Sequence, residues 1–370
     1  MSIEELVEIS RFYGKNPGFL MAGGGNTSFK DKEYIYVKAS GVELASVKKD
    51  DFVKLKRDAL ERIWEKDYPF GVELREKIAL SDLMNSRTKG ESRRPSVESL
   101  LHAVLPQKYV IHTHPTIVNG LTCSKKGRYI AKKLFNGRVM WIPSVNPGYV
   151  LARLNRKKLI QFKKRYKKVP DIIFLENHGM FVGADTINEI KRIHNLIMDT
   201  LREHIVCEPD FSLVTFNKVM VEEVRGLIKS YPGFEDKYIT FESNTESNRV
   251  VKDKNSFRKV NSAFTPDHIV YAGPEVLFVE NPGDIRGSIR EYRNRNSCDP
   301  KVIAVKKLGI FAAGNSEKSS HIAMSFFIDA LKIAIYAESF GGYKFMDKEQ
   351  IDFIKNWEVE KFRAGISNDK

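Results

Sequence analysis

The chain has 370 residues, too many for one typical domain, so two domains are the first expectation. Its apolar fraction of 42% and charged fraction of 29% are those of an ordinary globular protein. No apolar run of about 18 residues occurs, so we expect no membrane-spanning helix, and the acidic start MSIEELVEIS argues against a signal peptide. Three scattered cysteines argue against a disulfide framework and predict a reducing, cytoplasmic location.

The net charge of +14 is spread along the chain, with one dense basic run, RKKLIQFKKRYKK, at residues 156–168. Leu159, Phe162 and Tyr166 recur there at helical spacing, which indicates a solvated amphipathic helix. The alternative is attraction of anions such as sugar phosphates, nucleotides, RNA or acidic lipid. Because no zinc-finger, RNA-binding or homeodomain signature accompanies the run, we expect a small anionic substrate, with no nucleic-acid or membrane partner.

In the N-terminal half, apolar periodicity and turn residues predict alternating helices and strands, which is typical of a mixed α/β fold. The predicted elements are a helix over residues 3–13, a strand in EYIYVKASG, a helix in SVESLLHAVLP capped by Ser96, strands in KYVIHTHP and GRVMWIPSVNPG, the basic helix, a strand in DIIFLENHG and a helix over residues 188–206.

The C-terminal half begins with EDKYITFESNTESNRVVKDKNSFRKVN, which is polar and without apolar periodicity, so we predict a loop or an irregular start to a second unit. Strands are predicted in DHIVYA, VLFVE and KVIAVKKLGIFAAG. The segment KSSHIAMSFFIDALKIAIYAESFGG is predicted as a helix that glycine ends.

This half also resembles the first. The segment from Ile172 aligns with the segment from Val302 at a constant offset of 130 without a gap, and a weaker echo links SNTES with GNTSF at an offset of 218. We therefore predict a shortened, degenerate copy of the N-terminal fold, although any strand–glycine–helix unit would look similar. Leu308 stands where the first copy has His178, so the copy should hold no metal in the same way.

Candidate metal ligands lie in YVIHTHP, where His112 and His114 are two residues apart in a predicted strand. Alternate side chains of a strand share a face, so both imidazoles can reach one ion. A catalytic zinc ion usually has three protein ligands and an open position, and His178 in ENHGM is a candidate third ligand. The histidine pair and His178 are each weak evidence for a metal site when taken alone, because histidine pairs and histidines in turns are common.

Two further features carry chemistry only in combination with these histidines. Glu98 lies near the start of the helix before the histidine strand, where it could complement the helix dipole or act as a general acid and base beside a metal. The glycine-rich GGGNTS matches neither a Walker A sequence nor a dinucleotide fingerprint. Its backbone N–H groups could still bind an anion, and the alternative is a plain turn.

As an ordered set, GGGNTS, KASG, RRPSVESLLH, VIHTHP, IPSVNPG and LENHGM resemble the class II aldolase/adducin family over about the first 205 residues. The resemblance implies a central mixed or antiparallel sheet flanked by helices in a catalytic domain over residues 1–210. Residues 211–370 are then the accessory, degenerate domain. FTPDHIVYAG, GIFAAG and ESFGGY resemble the middle of larger bacterial proteins that join a rhamnulose-phosphate aldolase to a short-chain dehydrogenase. We expect that dehydrogenase domain to be absent here, which leaves a separate dehydrogenase as a candidate partner.

The resemblance also implies roles for individual residues. It makes Glu98 the acid/base, and it implies three ligands of a divalent metal, zinc or otherwise manganese or cobalt: His112, His114 and His178. Four positions match those that hold the substrate phosphate: Asn26, Ser40, Gly41 and Ser96. Val97 stands where family aldolases often have a second serine, which weakens the case for a phosphate monoester. Family aldolases also use a tyrosine from a neighbouring subunit, which this sequence does not locate.

The function implied is a class II aldolase, a lyase of carbohydrate metabolism. It would cleave or form a carbon–carbon bond in a sugar phosphate or related derivative through a metal-stabilised enediolate, in a homo-oligomer. Two alternatives keep the fold: a pentulose-phosphate 4-epimerase and a sugar-phosphate dehydratase. A third is a non-catalytic, adducin-like interaction module. Adducin-type domains lack the metal histidines, so the three histidines with Glu98 favour an enzyme.

Overall fold

The computed structural model describes residues 3–357, which divide into two compact units. Within the described residues, unit 1 comprises residues 3–122 and 127–204, and unit 2 comprises residues 123–126 and 205–357. The domain boundary at residue 210 stays a prediction from the sequence.

Unit 1 is built on one seven-stranded sheet. Its strands are β1 (Asn26–Lys30), β2 (Tyr34–Lys38), β3 (Phe52–Lys56), β4 (Tyr109–Thr113), β5 (Val139–Ile142), β6 (Ile172–Leu175) and β7 (Gly179–Ala184). Their order across the sheet is β3-β2-β1-β4-β7-β6-β5, and all neighbours are antiparallel except β5 and β6. This confirms the mixed, largely antiparallel sheet.

The helices of unit 1 flank this sheet. They are α1 (Ile3–Gly14), α2 (Arg57–Ile63), α3 (Val72–Asn85), α4 (Ser99–Val104), α5 (Thr116–Thr122), α6 (Gly127–Phe135), α7 (Tyr149–Tyr166) and α8 (Ile187–Arg202). Helix α7 contains most of the basic run. It buries Leu159 and Phe162 and exposes Lys163, Lys164 and Arg165, as an amphipathic helix should.

The middle strands of the sheet are buried on both faces. Every residue of β4, β6 and β7 is buried, which explains why these segments are almost continuously apolar in sequence. In such surroundings a polar side chain needs partners from the protein itself. The polar groups at the ends of β1, β4 and the β6–β7 turn are therefore the ones that need an explanation.

Unit 2 has a four-stranded sheet of its own. Its strands are β8 (Tyr238–Glu242), β9 (Leu277–Val279), β10 (Val302–Val305) and β11 (Gly309–Gly314), in the order β8-β11-β10-β9. Its helices are α9 (Lys218–Lys229), α10 (Thr245–Val250), α11 (Lys254–Phe257), α12 (Pro266–Ala272), α13 (Ile285–Asn296), α14 (Glu317–Glu338) and α15 (Lys348–Asn356).

Two predictions for this half were wrong. The polar segment predicted as a loop contains β8, α10 and α11, and side chains of Asn244 and Asp253 cap the two helices. DHIVYA lies in helix α12, not in a strand, with Thr265 at the N-cap and Pro266 in the first turn. All residues of α12 are buried, and a short apolar run does not by itself distinguish a buried helix from a strand.

The second sheet repeats half of the first. Its order β8-β11-β10-β9 has the same strand directions as β4-β7-β6-β5: antiparallel, antiparallel and parallel. At the offset of 130, the Ile172–Val182 pairing becomes Val302–Ala312. The two sheets therefore share strand order and directions over these four strands, while the degenerate copy itself stays a prediction. The weaker echo at an offset of 218 is wrong, because it equates strand β1 with the start of helix α10.

The sequence led us to expect no segment that could span a membrane, but helix α14 meets the length and hydropathy criteria for one. Among the described residues it is the one helix that is long and apolar enough, with a mean hydropathy of 1.3 over its best 18-residue window. However, 61% of that window is buried inside the protein, which is also the pattern of a core helix. The apolar character of α14 is therefore weak evidence for a membrane span.

Candidate metal centre

His112 and His114 lie where strand β4 ends. His112 is fully buried, and its Nδ1–H donates to the carbonyl oxygen of Met180 on β7, at 2.9 Å. This hydrogen bond fixes the ring and leaves Nε2 to face outward from the strand. His114 follows the last strand residue, and its backbone N–H donates to Phe19 at 3.0 Å. The two Nε2 atoms are 2.8 Å apart, so both imidazoles point to one place, as the strand spacing predicted.

His178 reaches the same place from the turn between β6 and β7. Asn177 adopts a left-handed conformation with φ of 57°, and Gly179 then opens β7. A Cβ atom on Gly179 would lie 2.6 Å from His114 Cδ2 and 2.6 Å from the Thr113 carbonyl oxygen. The close approach of the turn to β4 therefore requires glycine at this position.

These three histidines fit a divalent metal ion. Their candidate ligand nitrogens all lie within 4.8 Å of one another, and three imidazoles with an open side are a typical donor set for catalytic zinc. The structure thus brings together the three residues that the sequence singled out. Elsewhere in residues 3–357, no further group of three such ligands occurs.

Glu98 faces the same histidines from the start of α4. Its Oε1 lies 3.3 Å from His112 Nε2 and 3.4 Å from His178 Nε2. Burial raises the pKa of this carboxyl, but the adjacent imidazoles, His112 foremost, lower it more, so the net pKa lies well below its ordinary value. Glu98 thus places a carboxylate oxygen beside two of the three imidazole nitrogens.

The local fold that presents Glu98 differs from the prediction. Helix α4 begins at Ser99 with Glu98 at the N-cap, whereas the sequence suggested Ser96 as the cap. The Ser96 hydroxyl is engaged elsewhere, since it accepts from the Glu98 backbone N–H at 3.3 Å and from the Asn26 amide at 3.2 Å. The tight turn before the helix directs the Glu98 side chain toward β4.

Asn26 links this carboxylate to a buried histidine. Register places Asn26, the first residue of β1, opposite His112 on β4. Its amide group donates to Ser96 Oγ and Glu98 Oε2, and its Oδ1 accepts from His102 Nε2. The Ser28 hydroxyl then donates to His102 Nδ1 at 2.8 Å. All polar atoms of the Asn26 side chain are therefore engaged.

His102 is a site residue that the sequence reasoning missed. It is fully buried, and burial first, then the positive charge of Lys30, lowers its pKa well below its ordinary value. The imidazole ring is neutral and carries one N–H group, at Nε2, which donates to Asn26 Oδ1. Its spacing of four residues from Glu98, on one helix face, was the available signal. That signal alone did not reveal what the ring contacts.

The other predicted phosphate contacts lie on the neighbouring chain segment. The Ser40 backbone N–H donates to the Arg94 carbonyl at 2.8 Å, and the Ser96 N–H donates to the Lys38 carbonyl at 3.2 Å. These two bonds align the continuation of β2 with the segment before Glu98. Gly41 turns the chain away with a φ of 79°. The side chains of Ser40 and Ser96 lie on this pair of segments, and the Ser96 hydroxyl oxygen already accepts two hydrogen bonds.

Comparisons with known proteins agree with this geometry. The family described as Class II Aldolase and Adducin N-terminal domain matches residues 4–204. A Bacillus subtilis protein named uncharacterized oxidoreductase YuxG is 24% identical, over 99% of this chain and 58% of its own length. The chain therefore spans little more than half of that curated relative.

Solved structures resemble the same region. The N-terminal class II aldolase domain of a conserved protein from Thermoplasma acidophilum is 28% identical, covers 55% of this chain and 94% of its own, and has a TM-score of 0.47. A sugar-phosphate aldolase from Thermotoga maritima is 13% identical, covers 56% and 97%, and has a TM-score of 0.38. The family match covers more than half of the 370 residues, so the chain belongs to the class II aldolase and adducin family.

Proposed function

We propose that the protein is a metal-dependent class II aldolase that cleaves or forms a carbon–carbon bond in a ketose phosphate or a related sugar derivative. One observation carries the proposal: three imidazole nitrogens lie within 4.8 Å of one another, and the Glu98 carboxylate lies 3.3–3.4 Å from two of them. A non-catalytic, adducin-like interaction module would not require three histidines and a glutamate clustered in a largely buried position.

The three histidines would hold the metal ion, zinc in our proposal. Three neutral imidazoles leave the charge of the ion undiminished and leave positions open for substrate oxygens. When bound, a divalent cation supplies the positive charge that stabilises the enediolate left by cleavage of the carbon–carbon bond. The protein holds His112 for this task through the Met180 carbonyl, which keeps the proton on Nδ1.

Glu98 would move the proton. In the synthetic direction its carboxylate removes the proton from the carbon beside the carbonyl group, and in cleavage its acid form returns one. The Asn26 amide orients Oε2, so Oε1 faces the histidines. Asn26 was predicted to hold phosphate, but each polar atom of its side chain already has a partner. We therefore propose Asn26 as a positioning residue instead.

The anionic end of the substrate would be held by the remaining polar groups of the aligned segments. The hydroxyls of Ser40 and Ser96 and the turn at Gly41 keep the role that the resemblance implied. Such anchoring orients the reacting carbon toward Glu98. A cytoplasmic location and a homo-oligomeric state are further parts of this proposal. So is a separate dehydrogenase partner, suggested by the longer relative that carries the name oxidoreductase.

The test is a screen of sugar 1-phosphates and nucleotide-linked sugars for metal-dependent release of dihydroxyacetone phosphate or a free aldehyde. Activity should disappear in a His112→Ala/His114→Ala variant that remains folded. Loss of water, or inversion of a hydroxyl group without aldehyde release, would replace the aldolase proposal by a dehydratase or epimerase. A wild-type protein that retains no metal after purification would contradict every enzymatic alternative.

A further inference from the structure

A cavity of about 210 Å³ lies in unit 2, apart in sequence from the residues of the metal centre. The residue before β10, the residue after β11 and helices α12 and α14 contribute to its wall. Part of the lining is apolar and comes from six side chains: Phe234, Val270, Tyr271, Pro300, Ala313 and Ile322. The cavity is large enough for a small organic molecule and has a surface that suits a carbon skeleton.

Two lysines give the cavity its charge. The Lys301 ammonium group donates to the Val270 carbonyl oxygen at 2.6 Å, and the Lys237 ammonium group donates to the Asn315 side chain. Both partners are uncharged. Among the ion pairs of the described residues, neither lysine is joined to a carboxylate. Lys301 is half-buried, and burial lowers the pKa of its amine.

The remaining ionisable groups of the wall do not compensate this charge. Asp299 lines the cavity, but its carboxylate pairs with Arg293 at 2.6 Å. Cys298 also lines it, and burial raises the pKa of its thiol, so the thiol stays neutral. A cation that is partly withdrawn from water and lacks a counter-charge costs free energy. An anion that enters the cavity would remove that cost and would find N–H donors already in position.

We propose that this cavity binds a small phosphate monoester, with the phosphate between Lys237 and Lys301 and the carbon skeleton against Tyr271 and Val270. A phosphate monoester carries close to two negative charges at neutral pH, which matches two ammonium groups. Asn315 and Ser319, which also line the cavity, supply further hydrogen-bonding groups. The site belongs to unit 2 and does not depend on the aldolase assignment of unit 1.

The probe for this site is glycerol 3-phosphate, with glycerol as the uncharged control, titrated into the full-length protein by calorimetry. Lys301→Met and Lys237→Gln should each weaken binding at one site per chain roughly tenfold or more, since each removes a charge-assisted hydrogen bond. The matched control is Lys252→Met, which changes an exposed lysine of the same unit and should bind as the wild type does.

Thermal unfolding gives a second measurement that also reports folding. Glycerol 3-phosphate should raise the Tm of the wild type and of Lys252→Met in proportion to occupancy, and should raise that of the two cavity variants less. If Lys301→Met does not fold, the half-buried Lys237 still provides the test. The proposal is overturned if the wild type does not bind the probe at millimolar concentration. Unchanged binding by the folded cavity variants would overturn it equally.

Discussion

The carboxylate of Glu98 contacts His112 and His178 through Oε1 and the Asn26 amide through Oε2. Glu98→Gln would preserve the size of the side chain but could not exchange a proton with substrate. We expect this variant to keep its metal and to lose turnover by roughly 10²–10⁴-fold, the usual contribution of a general acid or base. Metal content and kcat on the substrate identified by the screen test this. Full activity of the variant would refute the acid/base role.

His102 is proposed to act indirectly: it holds the Asn26 side chain, which in turn orients Glu98. In His102→Ala, Asn26 Oδ1 loses its donor, so the amide is free to turn away from Glu98. We expect kcat to fall by roughly 10-fold or more with KM and metal content little changed, and His102→Gln to restore part of the loss, since its amide can donate. His194→Ala, which removes another fully buried histidine of unit 1, is the matched control. An equal loss of kcat in both variants would indicate a merely structural effect.

Lys30 is a buried cation near the same network. Its ammonium group donates to the Gln107 carbonyl oxygen at 3.0 Å, and burial first, then Arg57, lowers its pKa to about 7. In the unfolded chain the pKa is about 10.4, so between about pH 7 and pH 10 the unfolded state binds more protons. The free energy of unfolding should therefore rise with pH across this window, by an amount on the order of a few kcal/mol.

Lys30→Met tests this assignment, because the variant has no amine to titrate. Its free energy of unfolding should be higher than that of the wild type near pH 7 and should lack this rise toward pH 10. Urea unfolding at several pH values measures both quantities. An identical pH dependence in the two proteins would show that Lys30 is not the group responsible.

Among the elements, the β6–β7 turn determines whether the third histidine reaches the other two. In Gly179→Ala the new Cβ would lie 2.6 Å from both His114 Cδ2 and the Thr113 carbonyl oxygen, so the turn must move away from β4. We expect metal affinity to fall at least tenfold and Tm to decrease. Gly226→Ala is the control: it lies in helix α9 with no atom within 4 Å of a new Cβ, and should be neutral or stabilising. Unchanged metal affinity in Gly179→Ala would contradict this account.

The elements also show what the sequence could and could not predict. Strands β4 and β6 were predictable, because their buried apolar runs end at clear turn residues, whereas β7, which follows directly after the His178 turn, was not predicted as a strand. Helix α12 was not, because its apolar run also fits a strand. The alignment of Asn26 with His112 depends on the register between β1 and β4, which are far apart in sequence. The hydrogen bonds that link His102 through Asn26 to Glu98 could therefore be identified only from the folded structure.

At the scale of the whole molecule, the two sheets share a layout but not a metal centre. In the first sheet His112 lies opposite Phe181, and in the second Phe241 lies opposite Phe311. Counting along the strand then puts Ser243 in the place of His114, and the offset of 130 puts Leu308 in the place of His178. None of these three corresponding positions in unit 2, Phe241, Ser243 and Leu308, carries a histidine.

This leads to a stoichiometric prediction for the full chain. We expect one tightly bound divalent ion per chain after purification without added metal and extensive dialysis, because the one group of three histidine ligands in the described residues lies in unit 1. His112→Ala/His114→Ala should retain none, and the Tm of the wild type, but not of this variant, should fall when a chelator removes the ion. Leu308→Ala, a change at the corresponding position of unit 2, should leave the metal content at one. A second equivalent of metal that survives dialysis and is lost in Leu308→Ala would mean that unit 2 holds an ion after all, through ligands that the repeat does not explain.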